Sequence, residues 1–217
     1  VIILEHEQGS PEWYEARLRI ATASKFNAVM TTERLKRSTD EYIYILAANI
    51  FAGKDQGTFE GNEDTRRGNT LEDDAIAWRE FTLDEKWERV GLCLSDCGRY
   101  GASPDAINRE QKRGLEIKCP KLKEHIKYAH GGVVPKKYLH QIYGSLYVTG
   151  YDSWEFMSYH ENTEPFMIAT YATDESYLKW AEAFTRTLKE FLNDLDDIVD
   201  KMGVSDEQQQ GEKQNGK

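Results

Sequence analysis

Apolar positions recur along the first third of the chain at the three-and-four spacing of helices. The stretch "SPEWYEARLR" opens with Ser10 as a candidate N-cap, Pro11 at the first helical position and Glu12 in the first turn. Together these mark a helix start. "TASKFNAVM" restarts with Thr22 or Ser24 as cap. "STDEYIYILAANIFAG" carries Ile43, Leu46, Ala47 and Ile50 at helical spacing and stops at Gly53, a residue suited to the left-handed turn that ends helices. "KDQGTFEGNED" predicts a polar loop, and "TRRGNTLEDDAIAWREF" a further helix with Leu71, Ala75 and Trp78 on one face.

The pattern changes near Trp87. "WERVGLCLS", "RYGASPD" and "GLEIKC" are short, β-rich and bounded by Gly, Asp and Asn, which predicts successive antiparallel strands. "PKLKEHIKYA" and "PKKYLHQIYGSLYVTG" predict helices that each open with Pro, and "SWEFMSYH" and "FMIATYA" predict strands. From Asp174 a long amphipathic helix places Leu178, Ala181, Phe184, Leu188, Phe191, Leu195 and Ile198 three or four apart. Residues 203–217 are polar and low in complexity; they predict a disordered tail behind one domain at residues 1–202. The order of elements predicts an α/β domain with a central mixed β-sheet flanked by helices.

Composition agrees with one globular domain: 217 residues, 39% apolar and 30% charged. No apolar run approaches the roughly 18 residues of a membrane span. The opening "VIILEHEQGS" is apolar for only four residues and has neither the basic region nor the small-residue cleavage site of a signal peptide. Three cysteines are an odd, sparse set that fits reduced thiols in a cytoplasm. Cys93 and Cys97 have no second pair at zinc-finger spacing.

A net charge of −10 speaks at first against a nucleic-acid partner. Yet eleven acids against six bases lie from Asp174 onward, which is half of that charge. Basic clusters survive upstream, among them Arg17/Arg19, Arg66/Arg67, Lys118/Lys121/Lys123 and Lys136/Lys137. Each also fits a solvated face, so charge alone does not decide.

Chemistry concentrates in "GASPDAINREQKRGLEIKCP". Alternate residues of a strand share a face, so Glu116 and Lys118 point one way and Leu115, Ile117 and Cys119 the other. Asp105 ends the preceding strand, with "AINREQKRG" as the turn, and a hairpin brings it beside Glu116. Two carboxylates with a backbone carbonyl, such as that of Ile117, suit Mg²⁺ or Mn²⁺ rather than Zn²⁺. A neighbouring ammonium can orient a water and stabilise transition-state charge, as phosphodiester hydrolysis requires. The same residues fit an exposed hairpin with a common E-x-K pattern. Glu72 lies near the apolar face of its helix, as a further metal or water ligand or as a surface glutamate favoured by the helix dipole. Gln141 borders the face formed by Tyr138, Ile142 and Leu146, where it suits either a water or phosphate contact or packing. The five histidines lack ligand spacing and read as surface or core.

Four segments in order, "EWYEARLRIATASKFNAVM", "RRGNTLEDDAIAWREF", "GASPDAINREQKRGLEIKCP" and "YLHQIYGSLYVTGYDSWEFMSYH", resemble the lambda-exonuclease-like (YqaJ-type) viral recombinases, a branch of the PD-(D/E)xK nucleases. The resemblance implies a PD-(D/E)xK nuclease-like core. It makes Asp105 and Glu116 the metal-binding carboxylates, with the Ile117 carbonyl as third ligand. Lys118 matches the catalytic lysine, Glu72 the acid of the upstream helix and Gln141 the glutamine of the YxxQ helix. Arg17 matches the arginine that anchors a DNA 5′-phosphate, and Ser24 and Ser103 match positions near phosphates. One departure is Arg67, where the phage prototype has an aromatic residue.

The function implied is a Mg²⁺-dependent 5′→3′ exonuclease, with Mn²⁺ as a substitute. It would degrade linear double-stranded DNA processively and leave 3′ single strands. The resemblance also implies a homotrimer ring threaded by DNA, a single-strand annealing protein as partner, and phage or prophage origin in a bacterial cytoplasm. A ring would let the acidic helix face outward around a basic channel. Two alternatives remain: an endonuclease of the same superfamily, and an inactive DNA-binding recombination scaffold. The last needs a broken motif, whereas Asp105, Glu116 and Lys118 are all present.

Overall fold

Eight strands form two four-stranded sheets in the computed structural model, which describes residues 1–31, 34–56 and 63–203, those at 63–70 by backbone alone. Residues 57–62 of the expected polar loop and 204–217 of the expected tail lie outside the described residues. The first sheet has the order β1-β3-β4-β2, formed by β1 (Ile2–Leu4), β2 (Ala21–Thr22), β3 (Leu92–Leu94) and β4 (Tyr100–Ala102). The second has the order β5-β6-β7-β8, formed by β5 (Ala106–Asn108), β6 (Arg113–Lys118), β7 (Ser153–Ser158) and β8 (Phe166–Tyr171). Each sheet contains one parallel pair, β2–β4 in the first and β6–β7 in the second. The mixed α/β class therefore holds, with the strands divided between two sheets.

That division corrects the expectation of three successive antiparallel strands. β3 pairs with β4 and β5 pairs with β6, but the chain changes sheets between Ala102 and Ala106. Pro104 lies in this crossing and has no N–H to donate to a ladder. The expected turn "AINREQKRG" is likewise shorter than the sequence suggests. Ala106 and Ile107 are fully buried and extend as β5. The reversal is confined to Arg109–Lys112, where the Asn108 side chain accepts the Gln111 N–H at 2.9 Å in the manner of an Asx turn.

The helices form where the sequence places them. In α1 (Pro11–Arg17) the Ser10 hydroxyl accepts the Trp13 N–H at 3.2 Å. A 3₁₀ turn at Ala23–Lys25 leads into α2 (Phe26–Val29), and α3 (Glu41–Ala52) ends at Gly53 with φ +61°. α4 (Glu63–Leu83) covers the second sheet through Ala75 and Ile76, which pack with Trp87, Ala106, Leu115, Ile117 and Met157. α5 (Leu122–Gly131) and α6 (Lys136–Thr149) connect β6 to the parallel β7.

α7 (Glu175–Lys201) closes the main core with Phe184, Leu188, Phe191 and Leu195. Its apolar stripe starts differently from the expectation. Leu178 is 53% exposed, and Tyr177 and Trp180 take the buried side. Trp180 stacks on Phe184 with ring centroids 4.4 Å apart and donates to His140 at 3.1 Å, so aromatic packing overrides leucine spacing.

Two local features hold the second sheet in register. Gly114 lies opposite Trp154, and a Cβ at that position would meet the indole ring at 2.3 Å. Beneath the sheet, Arg79 of α4 donates through Nε and Nη2 to both oxygens of Glu155 on β7, each at 2.7 Å. Arg113 reaches the same carboxylate at 3.4 Å and Glu85 at 2.6 Å. This buried network fixes α4 against the strands and with it Glu72, two turns before Arg79. Among the described residues no helix is long and apolar enough to cross a membrane.

Candidate active site

The site forms at the seam between the two sheets, where β6 ends in Glu116, Ile117 and Lys118. The pairing of Ala106 with Leu115 sets Asp105 opposite Glu116. The Asp105 N–H donates to the Leu115 carbonyl at 3.2 Å, and the Asp105 carboxylate accepts the Ile117 N–H at 2.5 Å. The carboxylate thus continues the ladder one step beyond β5. In an antiparallel ladder the N–H and C=O of one residue face the same neighbour, so the Ile117 carbonyl also turns toward the Asp105 side.

Glu116 is fully buried. Its Oε1 accepts from the Lys118 ammonium and from the Gln141 amide, the latter at 2.5 Å. Its Oε2 is buried with no hydrogen-bond partner. A buried carboxylate oxygen without a partner is costly unless something else satisfies it.

The electrostatics agree with that deficit. Burial pushes the Glu116 carboxyl up to about 8, against Lys118 and reinforced by Asp105 and Glu72. Glu72 rises to about 7, first through burial and then through repulsion from Asp105. Asp105 is raised by burial, against Lys118 and the Ile117 N–H. Burial alone would lower Lys118, but Glu116 and Asp105 more than offset it and hold the ammonium charged. Three acids that hold protons too tightly around one lysine form a site short of positive charge.

Among the described residues no three His, Cys, Asp or Glu side chains converge closely enough to hold a metal by themselves. Those residues therefore form no zinc-type cage. Their arrangement fits Mg²⁺, which typically takes one or two carboxylates and fills its shell with water and substrate phosphate oxygens. Asp105, the unpartnered Glu116 oxygen and the Ile117 carbonyl are the groups that could hold such an ion.

Glu72 faces this cluster from α4. Arg89 donates to Glu72 at 3.4 Å and to Asp73 at 2.5 Å. Arg89 is placed by a bridge in which Glu88 and Ile107 exchange hydrogen bonds at 2.7 and 2.8 Å. No pattern in the sequence singles Arg89 out.

At the other end of the cleft, the Arg17 guanidinium lies over the Trp13 ring at 4.2 Å and donates to the Ser103 hydroxyl at 2.6 Å. The Trp13 indole N–H is shared between the Gly91 carbonyl at 2.8 Å and Ser103 at 3.1 Å. Gln8 donates to the carbonyls of Val90 at 2.9 Å and Pro104 at 2.7 Å. Ser24 lies 3.3 Å from the Thr22 hydroxyl. One cleft of about 150 Å³ gathers Arg17, Ser24, Ser103, Asp105, Glu116, Lys118 and Gln141, with Gln8, Trp13, Ala23 and Ser145 completing its wall.

Every expected side chain is thus at or beside one cleft. Glu72 approaches from outside its wall, and Ile117 contributes only backbone. Gln8, Trp13, Ser145 and Arg89 were not expected. Trp13 had a signal, since it stands four residues before Arg17 on one helix face. The Arg67 side chain lies outside those described. His125 and His140 are core residues: His125 contacts Ser158 at 2.9 Å, and burial lowers His140 to about 4.

Crystal structures of known proteins share this arrangement of elements. Two of the alkaline exonuclease LHK-Exo from Laribacter hongkongensis, one of them in complex with dAMP, match with a TM-score of 0.73 at 26% identity. The match covers 89% of this chain and 98% of that one. A phage-related exonuclease from Haemophilus somnus 129PT shares the fold at a TM-score of 0.61 and 13% identity, over 85% of this chain and 96% of its own. No curated protein sequence matches the chain. The profile of the YqaJ-like viral recombinase domain matches residues 12–152, a span that runs from the helix of Trp13 and Arg17 past the strand of Glu116 and Lys118 to the helix of Gln141. The chain belongs to the YqaJ-like viral recombinase family.

Proposed function

We propose that this chain is a Mg²⁺-dependent exonuclease that degrades the 5′-ended strand of linear duplex DNA processively and leaves 3′ single strands for recombination by annealing. One observation carries the reading. Glu116, fully buried, has one oxygen held by Lys118 and Gln141 and the other unpartnered beside Asp105. Asp105, that free oxygen and the Ile117 carbonyl would hold the ion. A divalent cation there supplies a Lewis acid for a phosphoryl oxygen and acidifies water.

The chain's own residues do the rest. Lys118, held charged, donates to the attacking water or to phosphoryl oxygens where negative charge builds; as an ammonium it is not the base. Gln141, with Lys118, fixes one Glu116 oxygen and leaves the other without a protein partner. Glu72 stands opposite Asp105 to accept a hydrogen bond from water. Arg17, stacked on Trp13 and braced by Ser103, offers donors to a terminal phosphate, with Ser24 across the cleft. Exonuclease relatives and the intact acid–acid–lysine set support a nuclease rather than an inactive scaffold.

Mg²⁺-dependent digestion of linear duplex labelled at one defined end reports activity, polarity and end preference together. Release from the 5′ end supports the reading, and cutting of closed circular DNA would replace it with an endonuclease. Arg17→Ala is expected to lose most of the preference for 5′-phosphate over 5′-hydroxyl ends, roughly tenfold or more for a charged hydrogen-bonding group. An unchanged ratio in paired digestions would remove Arg17 from the anchor.

Metal should also register in stability. The raised Glu116 pKa means that the metal-free fold binds more protons than the unfolded chain between the ordinary value of 4.5 and about 8. Its contribution to stability is therefore lost as pH rises through that window. A cation offsets the charge, so the gain in Tm on adding Mg²⁺ should grow from about pH 5.5 to about pH 8.5 and shrink in Glu116→Gln. A gain independent of pH would count against this site as the binding place.

In this proposal the chain works as a ring-shaped homotrimer with a single-strand annealing protein. The exposed acids of α7, Glu175, Glu182, Glu190, Asp194, Asp196, Asp197 and Asp200, support an outward placement of that helix.

A further inference from the structure

One face of α6 runs along the cleft. Ser145, Gln141 and Lys137 recur every four residues, so their side chains succeed one another on one side of the helix about 6 Å apart. α6 packs against the 3₁₀ turn that carries Ser24, so closely that a Cβ at Gly144 would meet Ala23 at 3.1 Å and Phe26 at 2.5 Å. Ser145 therefore stands at the Arg17 and Ser24 end of the cleft, and Gln141 at Glu116.

Lys137 is the next step in this row, and nothing above gives it a task. It is exposed. Its ammonium lies 4.7 Å from the centre of the Tyr138 ring and 5.5 Å from that of Tyr128. The Lys118 ammonium lies 5.4 Å from the same Tyr138 ring. One aromatic ring thus joins the lysine of the active site to a second ammonium beyond it. Among the described residues Lys137 makes no ion pair, whereas the nearby Glu124 is already bonded to Lys127 at 2.6 Å. Exposed Lys123 and Lys136 extend the same sign of charge on a chain whose net charge is −10.

We propose that Lys137 binds the DNA phosphate that follows the scissile one in the strand being cut, with the Tyr138 ring as the spacer between the two ammonium groups. This rests on the nuclease reading and adds a binding position to it. A strand laid along α6 meets Ser145 at its terminal phosphate, Gln141 and Lys118 at the reacting one, and Lys137 at the next. The competing role is structural: the lysine stem could simply cover Tyr128 and Tyr138.

Two measurements on the full chain separate these roles. The first is binding of linear duplex in chelator, without cleavage, across a range of salt. Lys137→Gln should weaken binding and lower the slope of log affinity against log salt by about 0.9, the value for one phosphate contact. Lys137→Arg should restore it. The second is digestion of substrates carrying a single uncharged methylphosphonate at successive positions. The parent should slow when the phosphate after the scissile one is neutral, and Lys137→Gln should be indifferent at that position alone. Equal slowing of both proteins there, or a lost response at a complementary-strand phosphate, would overturn the proposal. So would an unchanged salt slope. A parent that neither binds nor cuts linear duplex overturns the nuclease reading with it, whereas a parent that does both leaves that reading standing.

Discussion

Lys118→Ala is expected to cut the rate of phosphodiester cleavage by about 10²–10³-fold while the variant still binds linear duplex DNA. Among the described residues the ammonium is the one positive side chain ion-paired with Glu116, and Glu116 and Asp105 keep it charged. Its loss removes a donor aimed at developing phosphoryl charge. It also removes a positive charge that repels a cation at Asp105 and Glu116, so once those carboxyls are ionised binding of Mg²⁺ should hold or tighten. Single-turnover digestion at saturating metal, paired with binding in chelator, checks both halves. A rate within tenfold of the parent would remove Lys118 from the chemical step. Lys118→Arg keeps the charge but replaces a compact ammonium with a planar fork, so it should recover little of the lost rate.

The largest stability effect should come from Glu155→Ala. Its carboxylate satisfies Arg79 at two points and touches Arg113, with the Arg79 and Glu155 side chains only 10% and 9% exposed. Removing it leaves the buried Arg79 guanidinium without its counter-charge, which costs about 3–5 kcal/mol. For a chain of this size that is a drop in Tm of roughly 6–20 °C. Thermal or denaturant unfolding measures it. Replacing Arg79 and Glu155 together by Met and Leu should recover most of the loss, because an apolar pair of similar volume leaves fewer charges uncompensated. A loss below about 1 kcal/mol for the single variant would mean that water reaches the network.

Much of this was legible in the sequence because it depends on local rules. Ser10–Pro11–Glu12 marked α1, Gly53 ended α3, and strand alternation put Glu116 beside Lys118. The convergence of Asp105 with Glu116 was legible too, though by a different route from the one expected. A long turn seemed to return Asp105, whereas a short strand and a four-residue turn do so. Ala106 and Ile107 are too few to show a period, so β5 could not be seen in advance. The split into two sheets was hidden for the same reason: β1, β2, β3 and β4 are two or three residues each, and their partners are set by distant packing. Tyr177 and Trp180 displaced Leu178 from the core because ring stacking against Phe184 outweighs periodicity. Gln8 and Arg89 lay beyond reach altogether. Each acts through backbone or side chains roughly 17 to 96 residues away, a separation no local pattern encodes.

The crossing from one sheet to the other spans Ser103, Pro104 and Asp105. The hydroxyl of the first touches Arg17, and the carboxylate of the last holds the end of β6. On the exonuclease reading, the hydroxyl that braces the Arg17 grip and the carboxylate at the cut are joined through a single residue. That residue is a proline, whose ring fixes one of its two backbone dihedrals, and its carbonyl is pinned by Gln8. On that reading the tripeptide would act as a gauge, setting how much DNA fits between grip and cut, and so the size of the unit released per cycle. A residue inserted there would change what the enzyme lets go, and a residue exchanged in the carboxylate cluster would change only how fast.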